Sequence, residues 1–283
     1  MAASAQIHPT ALVDAQAQLN SGVVIGPYAV IEGPVTLGPD CGIAGHAKLT
    51  GPLIMGRGNR VHSFAVLGDA PQDLKYRDQP SRLLIGDGNI FREHVTVHRG
   101  TNGDTVLGSH NFLMAGSHVG HNCSIGDHVT LVNHAVLGGH VEVRDRAIIG
   151  GLCAMHQFCR VGRLAMITNN SAHNVDIPPF VTSLQTNTIT QLNAVGLRRS
   201  GMSAASINAL RRMFQILFRQ YAGLPLARAI ALLPVELSVV PEVGEFVAFV
   251  RSAKRGVARF GPWSQRHGPG EAHAAQADDD GGL

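Results

Sequence analysis

A six-residue repeat, unbroken from Leu107 to Ala172, constrains this chain more than any other feature. Its first position reads Leu107, Leu113, Val119, Ile125, Leu131, Leu137, Val143, Ile149, Met155, Val161 and Ile167, all aliphatic or Met. Its fifth position is mostly small, as in Asn111, Ser117, Cys123, Ala135, Ala147, Cys153, Cys159 and Ser171. A period of six matches neither the 3.6-residue helix nor a long strand of strict alternation. It fits a parallel β-helix of short strands and tight corners, with one large and one small side chain per hexad turned inward. Three hexads close a triangular coil of 18 residues, and coils stack at about 4.8 Å, the spacing between neighbouring strands.

The same register starts at Ile7, runs through Leu49, weakens at Met55 and returns at Val61. It fails over 68–84 and again over 98–106, where the phase shifts. Such breaks are expelled from a coil as loops, because their backbone polar groups find no partners inside. Solenoid insertions gather on binding faces, so each break points mildly to function. Past Ile177-Pro178-Pro179 the beat is lost. Ser203 is placed to cap a helix carrying Ile207, Leu210, Phe214, Leu217 and Tyr221 on one face, and further helices are expected near 226–233 and 242–254. The fold class is therefore mainly β: a β-helix over 1–186, a small α-helical domain over 187–258, and a tail over 259–283 whose Gly, Pro, Ala and Asp content predicts disorder.

Composition excludes rather than identifies. A net charge of +3 does not indicate a nucleic-acid binder. No basic start leads into a long apolar run, and no stretch of 18 apolar residues suggests a membrane span. All four cysteines, Cys41, Cys123, Cys153 and Cys159, fall at position five, so they read as small inward thiols in a reducing cytoplasm rather than disulfides or zinc ligands.

Histidine is frequent at 15 residues, and its placement matters more than its count. His110, His128 and His134 occupy position four and read as exposed corner residues. His121, His140 and His156 fall in the same hexad of three successive coils, so they are expected to line one wall of the prism, rings outward. Three readings fit: a column of surface or interface imidazoles, a metal site, or a general base with a substrate clamp for acyl transfer. A hydroxyl attacks a thioester poorly unless a neutral imidazole stands by and donors meet the oxyanion; Gly139 offers a backbone N–H for that.

Four motifs occur in order: Gln72-Asp73-Leu74-Lys75-Tyr76, Arg92 to Thr101 with His98-Arg99-Gly100-Thr101 at its end, His118-Val119-Gly120-His121-Asn122-Cys123, and His156-Gln157-Phe158-Cys159. Together with the Pro-Pro exit and Gly196-Leu197-Arg198-Arg199, they resemble the UDP-N-acetylglucosamine 3-O-acyltransferases that open lipid A synthesis. The resemblance implies a left-handed β-helix and a cytoplasmic homotrimer with sites between subunits. It implies a (R)-3-hydroxyacyl donor carried on the phosphopantetheine of acyl carrier protein, with no metal and no other cofactor. By motif, His121 would be the general base and the Gly139 amide the oxyanion donor. Asp73 would bind the glucosamine ring, with Lys75 and His98 near it or the donor. His118 and His140 would line the cleft, and Gly151 would meet the pantetheine arm. His156, Gln157, Asn193 and Arg199 would hold the nucleotide, and the basic surface near Arg198, Arg211 and Arg212 would suit an acidic carrier protein.

Departures limit the transfer. Asn122 stands where Asp is common and cannot stabilise an imidazolium by charge. Ser200 replaces the second Arg after Arg199, removing one phosphate contact. Asn169 stands where small residues leave room for a long acyl tail, so a shorter preferred chain is expected. The rival readings are a related hexapeptide transferase, such as the N-acyltransferase of the same pathway, a zinc lyase of carbonic-anhydrase type, and a non-catalytic scaffold.

Overall fold

The computed structural model describes residues 4–261. Its body is a triangular prism whose walls belong to sheets of 12, 9 and 8 strands, parallel throughout the coils. The first wall contains strands such as Val24–Ile25, Thr130–Leu131 and Met166–Ile167; the second, Thr96–His98, His118–Val119 and Val136–Leu137; the third, Thr105–Leu107, Ser124–Ile125 and Glu142–Val143. Register is carried from coil to coil without slippage over the long repeat, as in His118 beside Val136 and Val119 beside Leu137.

The first-position residues from Leu107 to Ile167 are all buried, as are the four cysteines, which are unpaired thiols. Met55, where the repeat looked weak, is also fully buried: its flexible side chain fills the inward position as the branched residues do elsewhere. Every corner of the long repeat turns on a left-handed residue, and most are not glycine; His110, His128, His134 and His140 have φ between 56° and 60°. His, Asn and Asp tolerate this region better than bulky or β-branched side chains. Rings at these corners stack on the rung below, as in the column Tyr28, His46, Phe64 and His94 on the edge between the first and second walls.

The edge between the third and first walls holds a buried amide row. Asn59 Oδ1 accepts from the Asn89 amide at 2.8 Å, Asn89 Oδ1 accepts from the Asn111 amide at 2.8 Å, and Asn111 Oδ1 accepts from the Val129 amide at 2.7 Å.

The two breaks emerge as loops 70–82 and 99–104, slightly shorter than expected because strand pairing persists to Asp69 and His98 and resumes at Leu83 and Thr105. Both leave the prism at one edge, between the second and third walls.

After the last coil, an antiparallel hairpin Val181–Leu184 and Thr188–Leu192 extends the first wall. The expected boundary at 186 falls in its turn, and the first helix, α1, begins at Ala194 and ends at Arg199. α2, Ala204–Gln215, is capped by Ser203, whose Oγ accepts the Ser206 amide at 3.0 Å, and it runs on into a π-turn over Ile216–Gln220. α3 (Leu226–Ala231), α4 (Val235–Ser238) and α5 (Pro241–Arg251) follow, each opening at a proline. The expected tail starts two residues early: Arg259–Phe260 pairs with the hairpin, adding hydrogen bonds that composition does not reveal. Residues 262–283 of that tail lie outside the described residues.

One buried ion pair docks the helices on the prism. Asp176 is 1% exposed and accepts from the Arg160 backbone and Nε at 2.9 and 2.8 Å, while the Arg160 guanidinium lies over Phe249 of α5 and donates to its carbonyl. Arg163 and Glu245 form a second pair at 2.7 Å.

Candidate active site

Both loops and the histidine column share the edge between the second and third walls. The column therefore lies on a corner rather than along a wall as expected, because the hexads bearing His121 and His140 have their strand residues at 118–119 and 136–137 and turn immediately afterwards. Four imidazoles meet there in two edge-on pairs: His98 with His118 at 5.0 Å between centroids, and His121 with His140 at 5.2 Å. His140 stacks on Phe158 of the next coil at 4.5 Å. Sequence reasoning placed Phe158 in a motif without giving it a task; its position-four corner, shared with His140, was the available signal.

Burial sets the charge state of this group. His118 is held at a pKa of about 4 by desolvation and then by His98 and His121. His98 and His140 are also lowered, by burial and by His121, with Asp69 and Asp73 respectively pulling the other way. Around neutrality these three rings are uncharged. Thr96 Oγ1 lies 2.7 Å from His118 Nδ1 and orients that ring, and the buried His98 Nδ1 has no partner among the described residues. An unpaired buried polar atom facing a cluster of this kind is a place where a ligand group could bind.

His121 is fixed by its neighbour. Its Nδ1 lies 2.9 Å from Asn122 Oδ1. The same oxygen receives the Thr101 N–H at 2.9 Å and the Thr101 hydroxyl at 2.9 Å, while Asn122 Nδ2 donates to the carbonyls of Asn102 and Gly103 at 3.2 and 3.3 Å. A backbone N–H can only donate and a carbonyl can only accept, so the amide has one orientation. His121 must therefore carry its proton on Nδ1, and Nε2 keeps its lone pair. That Nε2 sits against Gly139, where any Cβ would collide with the imidazole. The Gly139 N–H is bonded to no protein acceptor among the described residues. A basic nitrogen and a backbone donor with no protein acceptor among the described residues are thus neighbours. Loop 99–104 needs Gly100 for this wrap, since a Cβ there would strike the Gly103 carbonyl. Asn122 was expected beside His121 as an uncharged stand-in for Asp and does bond to it, but Thr101 was not expected to act here; the His-Arg-Gly-Thr motif was the signal, and only the loop's path shows its target.

Loop 70–82 is held over this edge by Arg99, which donates to the Gly68 carbonyl at 3.0 Å and to Tyr76 Oη at 3.1 Å. Asp73 Oδ1 accepts the Lys75 N–H at 2.9 Å, forming the turn that leaves Leu74 almost fully exposed and Lys75 exposed beside it. His156 and Gln157 are exposed higher on the same edge, with His156 Nδ1 at 3.1 Å from the Gln157 carbonyl.

The remaining expected residues lie elsewhere. Gly151 and Asn169 are on the edge between the first and second walls, and the Gly151 N–H donates to Asn169 Oδ1 at 2.7 Å, so it is already engaged. Asn193 and Arg199 border a cavity of about 680 Å³ on the first wall, across the prism from His121. The Asn193 side chain is occupied structurally: Oδ1 accepts the Gly196 N–H and Nδ2 donates to the Leu164 carbonyl, both at 3.0 Å. Asn193 shapes that cavity and holds α1 rather than offering free donors. Among the described residues of one copy, no three His, Cys, Asp or Glu side chains converge to hold a metal ion.

Comparison with known proteins decides the family. Residues 176–258 match the profile of UDP N-acetylglucosamine O-acyltransferase domain 2, and residues 104–139 match the bacterial transferase hexapeptide repeat. The acyl-[acyl-carrier-protein]–UDP-N-acetylglucosamine O-acyltransferase of Halorhodospira halophila is 46% identical over 258 residues, covering 90% of this chain and 99% of that protein. This chain belongs to the UDP-N-acetylglucosamine O-acyltransferase family. The family member of Syntrophobacter fumaroxidans is 44% identical across 90% of this chain and all of that protein. Solved acyltransferases of the family share the fold: that of Francisella novicida has a TM-score of 0.85 at 32% identity, covering 92% of this chain and 96% of its own, and that of Campylobacter jejuni has 0.84 at 34%, covering 90% and 100%. None of the described helices is long and apolar enough to cross a membrane.

Proposed function

We propose that this protein transfers a (R)-3-hydroxyacyl chain from the phosphopantetheine of acyl carrier protein to the 3-hydroxyl of UDP-N-acetylglucosamine, the first step of lipid A synthesis, in the cytoplasm and without a cofactor. The observation that carries the mechanism is the fixed tautomer of His121 beside an unbonded Gly139 N–H. Nε2 takes the proton of the sugar hydroxyl as its oxygen attacks the thioester carbonyl. The Gly139 N–H meets the oxyanion. The C–O bond is then complete, the C–S bond breaks, and the imidazolium returns its proton to the departing thiolate. Uncharged His98, His118 and His140 surround the hydroxyl without adding positive charge that would resist formation of the imidazolium. Asp73 and Lys75 hold the sugar or donor from loop 70–82.

One copy does not complete this site. The imidazoles lie on one edge, while the nucleotide cavity and Asn169 lie across the prism. Setting the histidine edge of one copy against the first wall of the next is a head-to-tail contact that closes as a ring, which we assign as a homotrimer. Incubation with UDP-N-acetylglucosamine and hydroxyacyl carrier proteins of several chain lengths, with product mass measured, tests the reading. Acylated sugar nucleotide is expected, at least a hundredfold slower with His121→Ala. Absence of product at every chain length overturns it.

A further inference from the structure

The first-wall cavity contains more cationic character than the expected nucleotide residues supply. Besides Arg199 and Ser200 its lining includes Arg146 and His128, over an apolar floor with Ile148 and Met166. Arg146 and His128 occupy the same corner position on successive coils, 18 residues apart, both with left-handed backbones at φ 58° and 56°. They therefore form a column one rung apart, as the stacked rings of His110 and His128 do at 5.1 Å one rung below. No Asp or Glu lines the cavity among the described residues. The acidic residues beside them in sequence are engaged: Asp127 Oδ1 accepts the Ser109 N–H at 2.6 Å and Asp145 Oδ1 accepts the Asp127 N–H at 2.9 Å. Arg160, Arg163 and Arg212 each have a carboxylate partner; among the described residues Arg146 and Arg199 have none. Two unpaired guanidiniums and an imidazole over an apolar floor suit a flat ring joined to a diphosphate.

We propose that Arg146, with His128 beside it, supplies the second cationic contact to the diphosphate of the sugar nucleotide, the contact that Ser200 cannot make. This rests on the reading above that the acceptor is a nucleoside-diphosphate sugar, and it adds a binding residue from a different part of the chain. The Arg146 fork reaches the phosphates from the coil, while Arg199 reaches them from α1. Contact from two elements also fixes the distance of the diphosphate from the coil surface.

The test is calorimetric titration of the full-length protein with UDP and with uridine, alongside steady-state kinetics, for wild type, Arg146→Ala, Arg146→Lys and Arg199→Ala. Arg146→Ala is expected to weaken UDP binding about tenfold to a hundredfold, the range for a hydrogen bond to a charged group. Uridine binding, kcat and the KM for acyl carrier protein should change little, and Arg146→Lys should recover part of the loss. UDP affinity unchanged in Arg146→Ala but reduced in Arg199→Ala overturns the assignment of Arg146. Equal loss of UDP and uridine binding also overturns it, since that marks a structural role. Wild-type protein that neither binds UDP nor forms product overturns the functional reading itself, an outcome distinct from the other two.

Discussion

Replacing Asn122 by Ala tests how the general base is held. Five hydrogen bonds converge on that amide: one from His121, two from Thr101 and two to the carbonyls of Asn102 and Gly103. Removing them frees His121 to exchange tautomers and lets loop 99–104 drift. A displacement of about 1 Å costs on the order of a hundredfold in rate, and the loss is bounded above by the roughly 10²–10⁴-fold worth of the base itself. We therefore expect kcat to fall about 10- to 100-fold, with the KM for UDP-N-acetylglucosamine changing less. Leaving partly buried loop groups unpaired should cost about 1–3 kcal/mol of stability. The assay is a double-mutant cycle in kcat across wild type, Asn122→Ala, His121→Ala and the pair. If Asn122 acts through His121, its removal costs nothing further once His121 is gone. Equal losses in both backgrounds would refute the positioning role. Asn122→Asp accepts the same three bonds and adds charge stabilisation of the imidazolium, but it cannot donate to the Asn102 and Gly103 carbonyls, so kcat should fall less than in Asn122→Ala while the loop loses stability.

Asn169→Gly frees the Gly151 N–H and removes a side chain from the edge between the first and second walls, so the preferred acyl chain should lengthen; turnover compared on carriers of about ten to fourteen carbons checks this at about 1–3 kcal/mol of discrimination per methylene. Asp176→Ala leaves the Arg160 guanidinium without its buried partner and should cost about 3–5 kcal/mol, read by denaturant unfolding, with the helical domain loosened from the prism. His173 is buried at the top of the second wall, and burial holds its pKa at about 4. Its lowered value means the unfolded chain binds the extra proton, so stability should be full above about pH 6.5, fall as pH drops toward 4, and level off below. Denaturant midpoints at pH 7 and 5 should show that slope, and His173→Asn should remove its share, leaving the part that His98, His118 and His140 contribute.

The hexad was sufficient to read the core, since a residue's place in a six-residue beat fixes both its coil and its orientation. It also put His121 and His140 one rung apart. What periodicity does not encode is whether a corner atom is free. Asn193 and Gly151 sit at motif positions, yet their polar groups are already engaged by Leu164, Gly196 and Asn169. Asn122 reads as a lost carboxylate, but loop 99–104 gives the neutral amide a defined orientation, and a loop's path follows no repeat. The sequence raises no expectation for Arg146, because the cavity it lines is completed by α1, which is distant in sequence.

The buried row Asn59, Asn89 and Asn111 links residues 30, 22 and then 18 apart. The two irregular intervals are those that contain the loops. These amides therefore act as splints across the turns that depart from standard length, keeping the height of each rung independent of how much chain is looped out. Lineages could lengthen, shorten or recompose 70–82 and 99–104, and so retune what they recognise, without lifting the imidazoles above them out of alignment.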